Sequence, residues 1–207
     1  MRIGGVVLAA GQSTRMGRMK LLLPYEGRPL VAAALEAMSS SGVDPVLCVL
    51  GYRSADVLEA LRHVPLPGPI RFILNRKYET GRASSVRLAQ RALPEDCAGA
   101  VFLPGDMPLI RSSDIRSLIE RFEQTGAPIV VGVDEEGRRA HPVLFARRLF
   151  PRLAALGGDE SGHALIQALW DDVEKVPVPA SRVLDVDYEE DYRNLVGEVG
   201  SGRARVL

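Results

Sequence analysis

The chain opens with an apolar run, "RIGGVV" (residues 2–7), that continues into "LAAGQSTRMGRMKLLLP" (residues 8–24). The first run is short, has no polar face and ends in β-branched residues, a pattern that predicts a strand buried on both sides in a parallel sheet. The second run predicts a loop that leaves the carboxyl end of this strand, which is where open α/β sheets bind their ligands. These residues therefore indicate both the fold class and the place to look for a site.

The predicted loop contains turn-forming and hydroxyl residues together with two cations, Arg15 and Lys20. Backbone N–H groups, hydroxyls and cations at such a position favour an anion, above all phosphate. The spacing differs from the common nucleotide motifs, because five residues separate Gly11 from Gly17, Arg18 follows, and no GxGxxG is present. The alternative is a surface loop with two solvated cations, but a loop at the mouth of a buried strand seldom carries cations without a function.

The composition indicates a globular protein and excludes several functional classes. The 207 residues are 46 % hydrophobic and 25 % charged, and 26 basic residues balance 26 acidic ones. This balance argues against general binding to nucleic acid or to an anionic membrane surface. No stretch is long enough to cross a membrane, and the first residues are predicted as a strand rather than a signal peptide. The two cysteines, Cys48 and Cys97, lack CxxC spacing, so we expect a reduced core thiol at Cys48 and a cytoplasmic protein.

Apolar runs alternate with runs of helical period from the N-terminus to Val133. This alternation predicts a single α/β domain of three layers, in which helices cover a doubly wound, mostly parallel, Rossmann-like sheet. The predicted strands of this part are residues 2–7, 45–51, 70–75, 99–103 and 127–133. The predicted helices are residues 29–42, 54–64, 83–93 and 112–126. We expect Pro29 in the first turn of the first helix and Ser54 as the cap of the second.

The rhythm changes beyond Val133, where we expect an antiparallel addition to the sheet. Short strands are predicted at residues 141–146, 173–178 and 182–188. Helices are predicted at residues 149–156, 163–170 and 189–199. Because the sequence contains no linker, repeat or low-complexity block, we predict one domain over residues 1–197, followed by a flexible tail over residues 198–207.

Two acidic positions are candidate metal ligands. Asp106 follows the fourth predicted strand in "LPGDMPLI", where its carboxylate could hold a hard divalent cation that bridges phosphate oxygens. The alternative for Asp106 is an Asx turn. Asp187 in "LDVDYEED" lies on the same face as Asp185 if that strand continues, and its alternative is a helix cap. We favour metal binding at Asp106, because Asp106 and the cationic loop would share one sheet edge. We favour it at Asp187 only because Asp106 needs a second ligand as its partner.

The segment "NRKYETGRASSVRLA" (residues 75–89) follows the third predicted strand and begins a helix. It contains four small or amide residues of interest, Asn75, Gly81, Ser84 and Ser85. Such residues can cap the helix or can bind an anion or a base, and chemistry alone favours neither interpretation. His141 and His163 lack metal-like spacing, so chemistry alone interprets them as structural or peripheral histidines. The sequence has no GxSxG motif, and no protein nucleophile is predicted.

The motifs together resemble a known family. The opening loop resembles the LAxGxSxRMGxxK signature loop of the nucleotidyltransferase superfamily. Within that superfamily the chain resembles the molybdenum-cofactor cytidylyltransferase branch, whose members are relatives of the molybdopterin guanylyltransferases. The resemblance runs over most of the chain in family order, through the opening loop, "NRKYETGRASSV", "LPGDMPLI", "HPVLF", "GGDESGHALI" and "LDVDYEEDYRNL".

This resemblance implies an Mg²⁺-dependent enzyme that transfers CMP from CTP to the phosphate of a molybdopterin-type cofactor and releases pyrophosphate. Arg15 and Lys20 would hold the triphosphate and act in catalysis with Asp106. Asp106 would also hold Mg²⁺, with Asp187 as the second carboxylate. Besides the two cations, the implied nucleotide-binding residues are Leu8, Ala9, Ala10, Gly11, Asn75, Gly81, Ser84 and Ser85. The implied acceptor-binding residues are His141, Pro142 and His163.

Three positions bear on the choice of substrate. Family members with alanine at the position of Ala10 tend to use CTP, and those with glycine there tend to use GTP. His163 stands where the family often has an arginine-bearing segment, and Met107 stands where this branch often has glutamine. Both departures concern the acceptor more than the nucleotide.

Several alternatives stay open at this point. The acceptor could be a sugar 1-phosphate or an alditol phosphate, the nucleotide could be GTP, and the chain could be a non-catalytic nucleotide- or cofactor-binding module. A recipient molybdoenzyme is a further partner that the resemblance suggests. We expect a monomer or weak dimer, with no nucleic acid and no membrane as partner.

Overall fold

The computed structural model describes residues 1–158 and 162–202, and its elements confirm the predicted α/β class. The strands within these residues are β1 (Ile3–Ala9), β2 (Pro24–Tyr25), β3 (Arg28–Pro29), β4 (Val46–Leu50), β5 (Ile70–Leu74), β6 (Gly99–Pro104), β7 (Ile129–Val133), β8 (Arg139–Ala146) and β9 (Val173–Pro177). The α-helices are α1 (Val31–Ser39), α2 (Ser54–Leu61), α3 (Arg82–Ala92), α4 (Ser112–Thr125), α5 (Phe150–Ala155), α6 (His163–Ala168) and α7 (Glu189–Gly202).

Seven of the strands form one sheet in the order β5-β4-β1-β6-β8-β7-β9. Strands β5, β4, β1 and β6 pair in parallel, and β9 pairs in parallel with β7. Only β8 runs the other way, because it pairs antiparallel with both β6 and β7. The expected antiparallel addition is therefore an interior strand of the sheet. The small strands β2 and β3 form a separate antiparallel pair.

Helices cover both faces of this sheet because alternate residues of the buried strands point to opposite sides. In β1, Val7 belongs to the core beneath α1, α2 and α4, whereas Val6 belongs to the core beneath α3, α5 and α6. Both side chains are fully buried. A third, smaller core joins the β2–β3 pair and α1 to the chain around Val186 and Leu195. This third core holds the C-terminal segment against the carboxyl edge of the sheet.

Three local predictions are wrong. Residues 182–188 form no strand, and the backbone contact of this segment with the strand ends is a single hydrogen bond from Val186 N to Asp106 O at 3.0 Å. Pro29 lies in β3 rather than in the first turn of a helix. The side chain of Ser54 does not cap α2, which is preceded by Arg53 in a left-handed conformation with φ 49°.

Parts of two sequence-level predictions lie outside the described residues. Residues 159–161 belong to the "GGDESGHALI" motif, and residues 203–207 belong to the predicted tail. Helix α7 continues to Gly202, so the first half of the predicted tail is helical, and the domain boundary at residue 197 stays a prediction. None of the helices in the described part of the chain is long and apolar enough to cross a membrane.

Candidate active site

A cleft of about 750 Å³ lies at the edge of the sheet where β1 and β6 end. These neighbouring parallel strands deliver their following loops to one place, and Gly105 N still bonds Leu8 O at 2.9 Å beyond the end of β6. Because β8 is antiparallel to β6, its first residues, not its last, lie at this edge. The lining therefore combines the loops after β1 and β6, the starts of β8 and α3, and part of the segment 183–187.

The loop after β1 is anchored on both sides of Lys20. Met19 and Leu21 are both buried in the hydrophobic core. Ser13 orders the loop from within, because its Oγ accepts a hydrogen bond from Lys20 N at 3.2 Å and its carbonyl accepts one from Gly17 N. These anchors hold the backbone of Lys20 in place while its ammonium group lies in the cleft.

Lys20 is the centre of an ion-pair network that joins both predicted cations to both predicted carboxylates. Its Nζ contacts Asp106 Oδ2 and lies 2.7 Å from Asp187 Oδ1. Arg15 Nη1 contacts the other oxygen of Asp187. The side chains of Lys20 and Asp106 are only 13 % and 16 % exposed, whereas that of Arg15 is 55 % exposed. The network therefore has a buried centre and a solvated rim.

The network keeps Lys20 and Asp187 charged although both side chains are largely buried. Burial by itself lowers the pKa of Lys20, but the charges and hydrogen bonds of Asp106 and Asp187 outweigh it, and the pKa is raised overall. Burial likewise raises the pKa of Asp187, but Lys20 and then Arg15 outweigh that effect, and the pKa of Asp187 is held below its usual value. Fixed charges of both signs are thus available in the cleft at neutral pH.

Asp187 is positioned by tertiary contacts rather than by a strand. Val186 is fully buried in the third core and bonds Asp106 O, which brings the following residue to the cleft. Asp191 Oδ2 accepts a hydrogen bond from Asp187 N at 3.0 Å and so joins this turn to the start of α7. Asp185 also lines the cleft but is exposed.

The acidic residues present fit a divalent cation of the kind that shares its ligands with substrate. Asp106 Oδ1 is buried and has no hydrogen-bond partner, so one anionic oxygen of this carboxylate is left for a ligand. Across the described residues no group of three or more His, Cys, Asp or Glu side chains forms a complete metal cage. Mg²⁺ commonly binds through one or two carboxylates plus substrate phosphates and water, and it needs no such cage.

The predicted nucleotide-binding residues divide into lining and supporting positions. Leu8, Ala9, Ala10, Gly11, Gly81 and Ser85 line the cleft together with both cations. Asn75 and Ser84 do not line it. They are buried behind its wall, where Asn75 Nδ2 donates to Ser84 Oγ at 2.8 Å and to Ser85 Oγ at 2.9 Å, and Asn75 Oδ1 accepts from Lys77 N. Asn75 therefore fixes the position of Ser85 and the turn before α3. Gly81 in that turn has φ +102°, a conformation that favours glycine.

The predicted acceptor residues divide in the same way. His141 and His163 line the cleft, whereas Pro142 is buried within β8 and does not. Burial, and after it the positive charge of Arg139, lowers the pKa of His141 to about 4. His141 is therefore neutral at neutral pH, and its Nδ1 atom is buried without a hydrogen-bond partner.

Two arginines of the cleft were missed by sequence reasoning. Arg82 and Arg139 both line it. Arg139 Nη2 lies 2.7 Å from His163 Nδ1, and burial lowers the pKa of the Arg139 guanidinium. In the part of the chain that the structure describes, neither arginine forms an ion pair with a carboxylate. Arg82 carried a signal, since it follows Gly81 in a motif already singled out. Arg139 carried none, because the direction of β8 cannot be read from its sequence.

Comparison with known proteins places this geometry in a family. Residues 5–173 match the model of the MobA-like NTP transferase domain. The structure of Rv0371c from Mycobacterium tuberculosis H37Rv is similar, with 32 % identity, a TM-score of 0.81 and coverage of 95 % of this chain and 98 % of that one. Another structure of Rv0371c, 29 % identical with a TM-score of 0.77 over 95 % of this chain and 99 % of that one, is a complex with manganese.

Two further relatives are similar over different lengths. A nucleotidyl transferase from Methanothermobacter is 25 % identical, with a TM-score of 0.78 and coverage of 95 % of this chain and 97 % of that one. The bifunctional protein GlmU of Pelobacter propionicus is 32 % identical over 131 residues, which make up 62 % of this chain and 28 % of GlmU. The chain therefore spans about a quarter of the length of such curated relatives.

Proposed function

We propose, from the premise that this chain belongs to the MobA-like NTP transferase family, that it transfers CMP from CTP to the phosphate of a molybdopterin-type acceptor. Family and fold are those of nucleotidyltransferase enzymes. The choice of CTP and of the acceptor is our inference from the resemblance of the sequence to the cytidylyltransferase branch. The observation that carries it is one cleft in which, among the described residues, cations are paired with carboxylates at one end and have no carboxylate partner at the other.

The paired end has the charges that a metal–triphosphate complex requires. Asp106 and Asp187 are the residues that would hold a divalent cation, which when bound supplies positive charge to the phosphate oxygens. The unpartnered Oδ1 of Asp106 and the manganese complex of the relative Rv0371c support this assignment, and we infer Mg²⁺ as the cation. Lys20 and Arg15 would then exchange their carboxylate partners for phosphate oxygens, while the carboxylates would pair with the divalent cation.

The reaction asks for positioning and charge neutralisation rather than for a protein nucleophile. An oxygen of the acceptor phosphate attacks the α-phosphorus of CTP in line, a new P–O bond forms, and the bond between the α-phosphorus and its bridging oxygen to the β-phosphorus breaks. Negative charge then accumulates on the leaving pyrophosphate, where Lys20 and Arg15 lower its energy. This role accounts for two cations in a loop that no standard phosphate motif describes.

The residue by which the resemblance favours CTP is Ala10, in the loop that follows β1. Ala10 is nearly buried, and its carbonyl accepts a hydrogen bond from Tyr52 N at 3.3 Å. Its Cβ faces Gly51 so closely that a Cβ on Gly51 would lie 2.8 Å from it. The backbone around Ala10 is thus held rigidly beside the cleft, which supports a role in selecting the base.

The test is pyrophosphate release with Mg²⁺ and each of CTP, GTP, ATP and UTP. Each nucleotide is assayed alone, with a molybdopterin-type acceptor, and with glucose 1-phosphate. We expect release with CTP that depends on the molybdopterin-type acceptor and on Mg²⁺. Release only with glucose 1-phosphate would mean that the acceptor is a sugar 1-phosphate rather than a molybdopterin-type molecule. Release with GTP instead of CTP would mean that GTP is the nucleotide. Tight, metal-dependent nucleotide binding without release under any condition would overturn the enzymatic assignment in favour of a binding module.

A further inference from the structure

Asp187 reaches the cleft on a segment with little regular structure. Residues 178–187, here called the strap, run from the end of β9 toward the start of α7. One 3₁₀ turn, Ala180–Arg182, is the whole of the regular secondary structure in the strap. The position of the Asp187 carboxylate therefore depends on the contacts that hold the strap to the rest of the fold.

The middle of the strap is held by an ion pair with α4. Arg182 Nη1 donates a hydrogen bond to Asp114 Oδ1 at 2.6 Å. The Asp114 side chain is only 6 % exposed, which makes it the most buried carboxylate of any ion pair among the described residues. An ion pair that is largely removed from solvent is screened weakly, so its geometry is held more firmly than that of a surface pair.

The same carboxylate is also bonded to the segment that carries Asp106. Asp114 lies in the first turn of α4, and its second oxygen, Oδ2, accepts a hydrogen bond from Arg111 N at 2.8 Å. Arg111 is the last residue of the loop 105–111, here called the Asp106 loop, and its neighbour Ile110 is buried in the core. One oxygen of Asp114 therefore contacts the Asp106 loop, and the other contacts the strap.

A second contact joins the strap to the Asp106 loop nearer the cleft. Val186 N donates to Asp106 O at 3.0 Å, and the Val186 side chain is fully buried in the third core. A single contact would leave the strap free to turn about it. Two contacts, one at Arg182 and one at Val186, fix the direction in which the strap presents Asp187 as well as its distance from Asp106.

We propose that Asp114 and Arg182 are positioning residues, which set the separation of the Asp106 and Asp187 carboxylates and so the affinity of the cleft for a divalent cation. The inference rests on the proposed function, since it takes these two carboxylates as the metal ligands, and deepens it by naming the groups that align them. Neither Asp114 nor Arg182 lines the cleft, so both would act through the ligands. Loss of a group that orients metal ligands weakens metal binding by roughly 10- to 100-fold.

Binding of Mn²⁺ alone to the full chain tests this role, because the electron paramagnetic resonance signal of free Mn²⁺ is lost when the ion binds. Asp187→Asn, which removes a proposed ligand, identifies the site and should weaken binding by about 10-fold or more. Arg182→Met, which breaks the ion pair, should also weaken it by about 10-fold. Arg182→Lys keeps the positive charge and should restore the affinity to within about 3-fold of that of the unaltered chain.

Arg121→Met is the matched control. Arg121 also lies on α4, and it pairs with Glu174 of β9 at 2.8 Å, so this ion pair joins the same helix to the strand before the strap. Both of its side chains are more exposed than those of the pair formed by Asp114 and Arg182. The Mn²⁺ affinity of Arg121→Met should change by less than about 2-fold. Thermal unfolding of every variant sets a temperature at which all of them are folded.

Two further readouts separate positioning from a merely structural role. Asp114→Asn should weaken Mn²⁺ binding as Arg182→Met does, and the double variant should be no weaker than either single variant, because both changes break one contact. In the transfer assay of Arg182→Met, the Mg²⁺ concentration for half-maximal rate should rise by about 10-fold, while the rate at saturating Mg²⁺ stays within about 3-fold. An ion pair that only stabilises the fold would lower the unfolding temperature and leave this Mg²⁺ concentration unchanged.

The outcomes distinguish this inference from the proposed function. Unchanged Mn²⁺ affinity in Arg182→Met beside weakened affinity in Asp187→Asn would overturn the inference and leave the proposed function intact. Equal weakening in Arg182→Met and Arg121→Met would overturn it too. Mn²⁺ binding that depends on both Asp187 and Arg182, without transfer from any nucleotide, would leave the inference standing and overturn the proposed function. Mn²⁺ affinity that is unchanged in Asp187→Asn would overturn Asp187 as a ligand, and the inference with it.

Discussion

The two ends of the cleft carry cations in opposite electrostatic settings. At the end formed by the loop after β1, Lys20 and Arg15 are paired with Asp106 and Asp187. At the end formed by β8 and α6, Arg139 Nη2 lies 2.7 Å from His163 Nδ1, and Arg139 pairs with no carboxylate among the described residues. Cationic side chains are thus paired with carboxylates at one end of the cleft and, within the described residues, have no carboxylate partner at the other.

This difference in charge pairing indicates which kind of ligand would bind at each end of the cleft. A site in which cations and carboxylates are both present suits a ligand that brings its own cation, such as a polyphosphate bound to a divalent cation, because the carboxylates can contact the metal and the cations can contact the phosphates. An unpaired guanidinium such as that of Arg139, which is exposed, favours an oxygen-rich or anionic group that arrives without a cation, because it can donate charge-assisted hydrogen bonds to such a group. Changes at the paired end should therefore affect catalysis, and changes at the unpaired end should affect recognition of the acceptor.

The largest effect is expected when the paired end loses its central carboxylate. Asp106→Asn removes a predicted metal ligand and a partner of Lys20, and kcat/KM for pyrophosphate release should fall by about 10³-fold or more. The matched control is Asp185→Asn, an exposed carboxylate of the same cleft, with an expected loss below about 3-fold. Similar losses in the two variants would show that total negative charge, not the position of Asp106, governs the reaction.

A smaller effect is expected from the two cations, and it should be graded by burial. Lys20→Ala should cost about 2–4 kcal/mol of transition-state stabilisation, the scale for removal of one preorganised charge-stabilising donor. Arg15→Ala should cost about 1 kcal/mol, because its side chain is 55 % exposed against 13 % for Lys20 and solvent screens it. The measurement is kcat/KM at fixed ionic strength. An unchanged kcat/KM in Lys20→Ala would show that Lys20 does not stabilise the transition state.

Substitution of His141 should have the smallest effect on the reaction. It should, however, change the pH dependence of the free energy of unfolding measurably. The fold keeps this ring neutral with a pKa of about 4, whereas the unfolded chain binds a proton near pH 6.5. The unfolded state therefore holds more protons between these values, and the free energy of unfolding should fall by up to about 3 kcal/mol as pH drops from 6.5 to 4.

Urea unfolding at several pH values between 7 and 4 tests this expectation. His141→Gln should flatten the slope between pH 6.5 and 4.5, whereas His63→Gln, at an exposed position in the loop after α2, should leave it unchanged. The lowered pKa of Asp187 acts in a different range, because its contribution is lost only as pH falls below the usual carboxyl pKa. A slope that persists in His141→Gln would mean that other groups carry the acid sensitivity.

Much of the sheet could be predicted because its signals are local. The buried strands β1, β4, β6 and β7 are continuous apolar runs, and they confirm the predicted strands. Helix α4 has the amphipathic period that predicted it, since it buries Ile115, Leu118 and Phe122 on one face. The prediction of a strand at residues 182–188 was wrong for a physical reason. Alternating apolar residues also arise when single side chains, such as Val186, enter a core without any neighbouring strand to pair with.

The candidate site was predictable to the extent that it sits in loops that follow parallel strands. Arg15, Lys20 and Asp106 fall in such loops, and the structure brings them together with Asp187. Arg139 escaped prediction because it lies at the start of its strand, β8, rather than in a loop that follows a strand. The first residue of a strand reaches the carboxyl edge of the sheet only if that strand is antiparallel, and strand direction is decided by pairing with distant residues rather than by local pattern.

The α/β class, the phosphate-type loop and the residues with suitable chemistry follow from the sequence alone, because they depend on period, turn chemistry and charge along neighbouring positions. Which of these residues come into contact depends on the tertiary structure. It set Lys20 between two carboxylates 81 residues apart, placed Asn75 and Ser84 behind the wall, and turned β8 so that Arg139 and His141 face the cleft. These contacts depend on strand order and on the packing of Val186, which are properties of the whole core.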